Sequence, residues 1–233
     1  MKKLLTVICL CLALFLALPG ACSAKRSFDG DWYDSDGSLV VSIHDGYLNG
    51  CQILSTSNFV GGNPGGCAMR IVESSGYRDL HIMFYTYDRT GTHNYLVLEN
   101  KTALRNTPEP LYYESVGGVY LGMGQKQLLS MYGRPNRVSK DTWYYDKVGF
   151  KVRFIGDIIS SITFLRSGDR RLDRTGFNCT DSLGSYQEQY GLRRLPKVPT
   201  KSGFSDGTHS IGHGEYLNFD RYPYEVNLSI YYC

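Results

Sequence analysis

From Asp31 to Leu98 short runs of β-branched and aromatic residues alternate with turn pairs, and no stretch keeps a helical apolar period. Leu39, Val41 and Ile43 fall on one side of a strand by strict alternation, as do Leu80, Ile82 and Phe84, whereas Val40, Met83 and Leu96 fall on the other. Apolar residues on both sides predict a sheet curled toward a barrel. Asp36-Gly37 and Asp45-Gly46 are placed as hairpin turns, because two-residue turns need the positive φ that these residues tolerate. Six antiparallel strands are read, near 31–35, 38–44, 47–54, 67–73, 79–86 and 94–99. They form a β-meander domain over residues 25–107.

The pattern breaks at residues 108–118, where Pro108, Pro110 and Gly117-Gly118 mark a linker, and then the chain repeats itself. VYLGMGQKQLLSMYGRP from Val119 aligns with FNCTDSLGSYQEQYGLRR from Phe177 at a shift of 58, with Tyr132 over Tyr190 and Gly133 over Gly191. Each copy predicts one amphipathic helix. The apolar stripes are Leu128, Leu129 and Tyr132 in the first and Leu183, Tyr186 and Tyr190 in the second, where Thr180 or Asp181 supplies the N-cap. Gly133 and Gly191 then end the helices. Strands follow both: GFKVRF at 149–154 matches GEYLNF at 214–219, and SSITF at 160–164 matches the segment near 225–232. The fold class is α+β: an antiparallel β-meander with a barrel-like sheet, followed by a tandem helix-plus-antiparallel-sheet module at 119–233, with repeats at 119–167 and 177–233.

Alternation assigns the faces of the second sheet. Val152, Phe154, Ile162, Phe164, Leu217, Phe219, Leu228 and Ile230 share the face the helices would cover. Lys151, Arg153, Thr163, Tyr216, Asn218, Asn227, Ser229 and Tyr231 take the other. That open face is polar, Tyr-bearing and cationic, the composition of protein-recognition surfaces. The candidate binding residues are Lys151, Arg153, Tyr216, Asn218 and Tyr231.

Two resemblances add to this reading. Gly30-Asp31-Trp32 resembles the Gly-x-Trp opening strand of lipocalin-type barrels, which implies an interior cavity for a small apolar ligand. Gly122-Met123, Tyr132-Gly133-Arg134-Pro135, Trp143-Tyr144-Tyr145 and Phe150-Lys151-Val152-Arg153-Phe154 resemble the module shared by the SmpA/OmlA (BamE-like) envelope lipoproteins and the β-lactamase inhibitor protein. The second copy lacks the Pro after Gly191 and carries a long loop from Pro196 to Gly214. The likeness covers the C-terminal half and implies a sheet that presents one face to a partner protein.

The ends set the compartment. Lys2 and Lys3, an apolar run from Leu4 to Leu18, Pro19-Gly20 and the small residues to Ala24 have the order of a secretory signal, and the run of about 15 residues is short for a membrane span. Residues 1–24 are read as a removable signal peptide, with acylation of Cys22 as the alternative processing. Localisation is therefore periplasmic or extracellular, with no transmembrane span. Of seven Cys, four follow the signal: Cys51, Cys67, Cys179 and Cys233. An even number in an exported chain reads as two disulfides, and proximity favours Cys51 with Cys67 and Cys179 with Cys233.

The net charge of +3 conceals an asymmetry: residues 25–115 hold seven basic and eleven acidic residues, residues 116–233 sixteen and eleven. Arg166, Arg170, Arg171, Arg174, Arg193, Arg194, Lys197 and Lys201 supply the excess, which an anionic surface polymer, lipid headgroup or acidic protein would match. Nucleic acid is not among the partners read. The commoner nucleophile, phosphate-loop and zinc motifs are absent, so no cofactor, metal or catalytic residue is assigned. His209 and His213 in DGTHSIGHGE are taken as loop residues because of the flanking glycines. The functional expectation is a non-catalytic, exported module that binds another envelope or extracellular protein. An exported hydrolase with its site in 196–214, or a small-ligand carrier using the first sheet, are the alternatives.

Overall fold

The structure, a computed structural model, describes residues 28–58, 60, 64–86, 92–99, 102–192, 198–200, 203–205 and 207–230. Residues 1–24, read above as a signal peptide, with Cys22, the basic residues Arg193, Arg194, Lys197 and Lys201, and Tyr231 and Cys233 lie outside them.

The N-terminal half is a closed antiparallel barrel of eight strands rather than six: β1 (Gly30–Tyr33), β2 (Leu39–His44), β3 (Tyr47–Leu48), β4 (Cys51–Thr56), β5 (Gly65–Glu73), β6 (Gly76–Thr86), β7 (Asn94–Leu98) and β8 (Thr102–Arg105). The segment read as one strand at 47–54 is broken at Asn49 and Gly50, both at positive φ (48° and 81°). The Asn49 side chain fixes the break, accepting from Ser42 N at 2.7 Å and donating to Val40 O at 2.9 Å. β8 closes the circle through Tyr33 and Arg105. Short strands let about 75 residues close a barrel whose inward positions are filled by side chains. Trp32, Ile43, Met69, Ile82, Leu96 and Leu104 pack there, so the interior that the Gly-x-Trp resemblance assigned to a ligand is a side-chain core. Leu96 thus points inward, opposite Phe84, while Met83 and its partner Val97 point outward.

The second half opens with a hairpin, β9 (Ser115–Val116) and β10 (Val119–Tyr120), whose first strand lies inside the stretch expected to be a linker. It then runs α1 (Gln125–Tyr132), β11 (Arg137–Ser139), β12 (Thr142–Tyr145), β13 (Phe150–Ile155), β14 (Ile158–Leu165), α2 (Leu183–Tyr190), β15 (Val198–Thr200), β16 (Gly203–Ser205), β17 (Thr208–Gly212), β18 (Glu215–Asn218) and β19 (Glu225–Ser229). Seven strands form one antiparallel sheet in the order β11-β12-β13-β14-β19-β18-β17, and β15-β16 is a separate hairpin.

The repeat is visible as an approximate two-fold relation. The central strands pair antiparallel with Ile162 opposite Leu228, and the pairs on either side correspond: Val152 with Ile162, Leu217 with Leu228. Under it Lys151 matches Tyr216, Arg153 matches Asn218 and Phe150 matches Glu215. The helices keep the shift of 58 to the residue. Their phase differs from the expected stripe: Leu128 and Tyr186 are buried, whereas Leu129 and Leu183 are exposed because one turn suffices to reach the sheet. The N-cap of α2 is Ser182, whose Oγ accepts from Ser185 N at 3.0 Å, not Thr180 or Asp181. Those two close the preceding turn around Asn178.

Barrel and sheet module share one core, because Tyr95, Val97 and Ala103 on the barrel's outer wall join Leu121, Met123, Ile158 and Ile159. Gly122 sits at φ 88°, where a Cβ would lie 2.7 Å from the Tyr95 hydroxyl, so the two halves meet through bare backbone. Polar groups complete the junction. The Glu215 carboxyl, wholly buried, accepts from the backbone of Tyr113 (2.7 Å) and Glu114 (3.0 Å) and meets His93 Nε2 at 3.3 Å. Glu114, also buried, accepts from the Tyr190 hydroxyl at 2.5 Å and from Arg174 N. A linker held this way is part of the core, not a tether.

The expected Cys51–Cys67 bridge is absent: Cys51, Cys67 and Cys179 are thiols. The barrel register explains it. β4 pairs with β5 so that Ile53 faces Ile71, which puts Cys51 near the far end of β5 from Cys67. Six residues of strand span roughly 20 Å, against the 4–7 Å between Cα atoms that a disulfide needs. Cys179 is buried against Phe164 O, and its expected partner Cys233 is outside the described residues.

Candidate polar docking face

The apolar face of the seven-stranded sheet is sealed: Val152, Ile162, Phe164, Leu217, Leu228 and Ile230 are buried under α1, α2 and the barrel wall. On the opposite face strand pairing aligns the polar residues into two cross-strand rows. One runs Ser139, Thr142, Arg153, Ser161, Ser229, Tyr216, Ser210; the other runs Arg137, Tyr144, Lys151, Thr163, Asn227, Asn218, Thr208. Each crosses all seven strands, roughly 30 Å at the usual strand spacing.

Four of the five candidate residues lie together here. Lys151 and Arg153 sit on β13, Tyr216 and Asn218 on β18, with β14 and β19 between them; Tyr231 is outside the described residues. Their charges are matched locally. Lys151 Nζ lies 3.2 Å from Glu225 Oε2, and Arg153 Nε donates to Asp141 Oδ2 at 2.8 Å. Burial acts against ionisation of Asp141, but the Arg153 hydrogen bond and charge prevail and hold its carboxyl below the usual range. Arg137 stacks on the Tyr144 ring at 3.5 Å, and Asn218 donates to Thr208 and Asp220.

Because β14 and β19 carry short side chains while β13 and β18 carry longer ones, the middle of the face is recessed. A depression of about 330 Å³ is bordered by Tyr144, Lys151, Arg153, Asn218 and Arg221, with Ser161, Thr163 and Asn227 also lining it. A second, of about 400 Å³, lies beyond Arg153 and reaches Tyr85 of the barrel. Arg153 borders both, and its partner Asp141 lines the second.

The basic cluster is partly internal. Arg174 stacks over the Tyr113 ring at 4.1 Å, Arg170 reaches the Tyr132 hydroxyl, and Arg171 donates to Gly176 O. The expected loop at 196–214 contains β17, so His209 is buried in the sheet beside Phe219, while His213 is exposed and stacked on Tyr113 at 4.8 Å. Among the described residues no group of three or more His, Cys, Asp or Glu is placed to hold a metal ion. No helix among them is long and apolar enough to cross a membrane.

The buried pair Glu114 and Glu215 was not read from the sequence. Glu215 occupies an inward position of β18, the one Phe150 fills in β13, so its presence in GEYLNF was the available signal. Both carboxyls are sealed from solvent and act on the protein's own backbone. Comparison with protein-family models, curated proteins and solved structures gives no match in any of the three.

Proposed function

We propose that this chain is an exported, non-catalytic recognition module whose polar sheet face docks another envelope or extracellular protein. One observation carries the reading: two polar rows cross the whole sheet on the face opposite the helices and barrel. Such a face offers Tyr, Arg, Lys and Asn side chains already fixed by cross-strand partners, so little side-chain freedom is lost on binding. The resemblance of residues 119–164 to the BamE-like and β-lactamase-inhibitor modules supports the same use of the sheet.

The test is capture from an envelope extract of the producing cells by immobilised protein. The double variant Arg153→Ala, Tyr216→Ala should retain the fold and weaken capture by about tenfold or more. Unchanged capture by that variant, with loss on charge reversal at Arg170, Arg171, Arg193 and Arg194, would move the site to the basic segments and overturn the assignment.

A further inference from the structure

The centre of the docking face holds an amide with one end fixed and the other end open. Asn227 Oδ1 accepts from Ser161 Oγ at 2.8 Å and from Thr163 Oγ1 at 3.0 Å. Both hydroxyls come from β14, so the carboxamide is pinned from one side. Among the described residues its Nδ2 has no partner, and Asn227 lines the 330 Å³ depression. Around it the donors exceed the acceptors. Lys151 Nζ uses one of its three N–H groups on Glu225, and the Tyr144 hydroxyl has no hydrogen-bond partner among the described residues. The Glu225 oxygens are already engaged by Lys151 and Arg221, and Asp220 Oδ2 accepts from Asn218.

A cavity with surplus N–H and O–H donors is completed by a group that only accepts. An ionised carboxylate accepts at both oxygens, offers about four lone-pair sites and gains charge-assisted bonds from an ammonium. We propose, resting on the reading of this face as a docking surface, that the depression receives one Asp or Glu carboxylate of the partner protein, held by Asn227 Nδ2 and Lys151 Nζ. A single carboxylate fits better than an acidic polymer. Asp220 and Glu225 line the recess and Asp141 lines the depression next to it, so a second anionic unit beside the first would meet like charge.

The probe is N-acetyl-glutamate methylamide, added to the full ¹⁵N-labelled protein while the Asn227 side-chain amide signals and, in every variant, the backbone amides of Lys151, Thr163 and residue 227 are followed. The glutamine counterpart and trigalacturonate serve as the other arms. The expected result is a saturable shift with the glutamate compound and binding about tenfold weaker or worse with the glutamine compound. Asn227→Asp keeps an oxygen for Ser161 and Thr163 but places an anion at the open end, and should abolish binding without loss of spectral dispersion. Lys151→Gln, a second variant away from that hydrogen-bonded pair, should weaken it about tenfold. Absence of a shift, equal binding of the glutamine compound, or undiminished binding by Asn227→Asp overturns the carboxylate site. Tighter binding of trigalacturonate than of the glutamate compound overturns the choice of a protein side chain. Capture from extract that persists without any such shift sinks this site alone, whereas shifts without a captured partner sink the docking reading and leave the carboxylate pocket standing.

Discussion

The Tyr190 hydroxyl at the end of α2 donates to Glu114 Oε1 across 2.5 Å, fixing the segment between barrel and sheet from the helix side. Its counterpart in the first repeat, Tyr132, donates to Gly117 O at 2.6 Å, a few residues further along the same segment. Both helices therefore hold the connection through a C-terminal tyrosine. Tyr190→Phe removes a bond to a buried carboxyl and should cost about 2 kcal/mol in urea denaturation. A loss below about 0.5 kcal/mol would mean the segment is secured without it.

The same carboxyl sets a pH dependence. Burial pushes the Glu114 pKa up, and the repulsion of Glu215 adds to it, against hydrogen bonds from Tyr190, Arg174 and Ser115 that lower it. A folded pKa above the unfolded one means the native state binds the proton more tightly. The associated stability is fully present below the ordinary carboxylate pKa and is lost as pH rises through the folded value. Relative to Glu114→Gln, the wild-type protein should lose stability with rising pH across that window. Denaturation midpoints of the two proteins over a pH series measure it, and parallel curves would refute it.

The two histidines of the DGTHSIGHGE segment should separate. His209 is buried in β17, and replacing it with Ala should cost about 1–3 kcal/mol, whereas His213→Ala, at an exposed turn, should stay near 0.5 kcal/mol. Thermal unfolding of the single variants decides it, with equal small effects arguing against the buried strand.

Thiol chemistry tests the barrel register. Cys51 is partly exposed, while Cys67 and Cys179 are buried; burial pushes the Cys179 thiol up to about 11 and the Cys67 thiol up as well. Among these three, native protein should alkylate at Cys51 first, and at Cys67 and Cys179 only after unfolding. Peptide mass spectrometry reads the order. A Cys51–Cys67 disulfide peptide would contradict the strand pairing.

Much of the second module was legible because its signals are local. Two helices ending at Tyr-Gly, and strands alternating apolar with polar, need only their own residues to be read. Leu129 and Leu183 were misplaced because an eight-residue helix buries about one side chain, fewer than a periodic stripe implies. The barrel was legible in character but not in number: two-residue β3 and four-residue β8 fall below the length at which alternation shows. The Cys51–Cys67 pairing failed because nearness in sequence says nothing about position along paired strands. The junction was invisible for a related reason, since His93 and Glu215 meet across 122 residues of chain.

At one inward position the two halves of the sheet exchange an apolar ring for a carboxyl, Phe150 against Glu215, and that difference has a mechanical meaning. Phe150 stacks on Tyr145 within its own repeat, so the first half closes on itself. Glu215 instead reaches out to the linker backbone and to His93 of the barrel. Restoring symmetry with Glu215→Phe would make the repeats more alike and leave two backbone N–H groups and His93 without their acceptor. The polar part of the joint between module and barrel thus rests on the broken symmetry of the repeat, and a perfect repeat would be a worse joint.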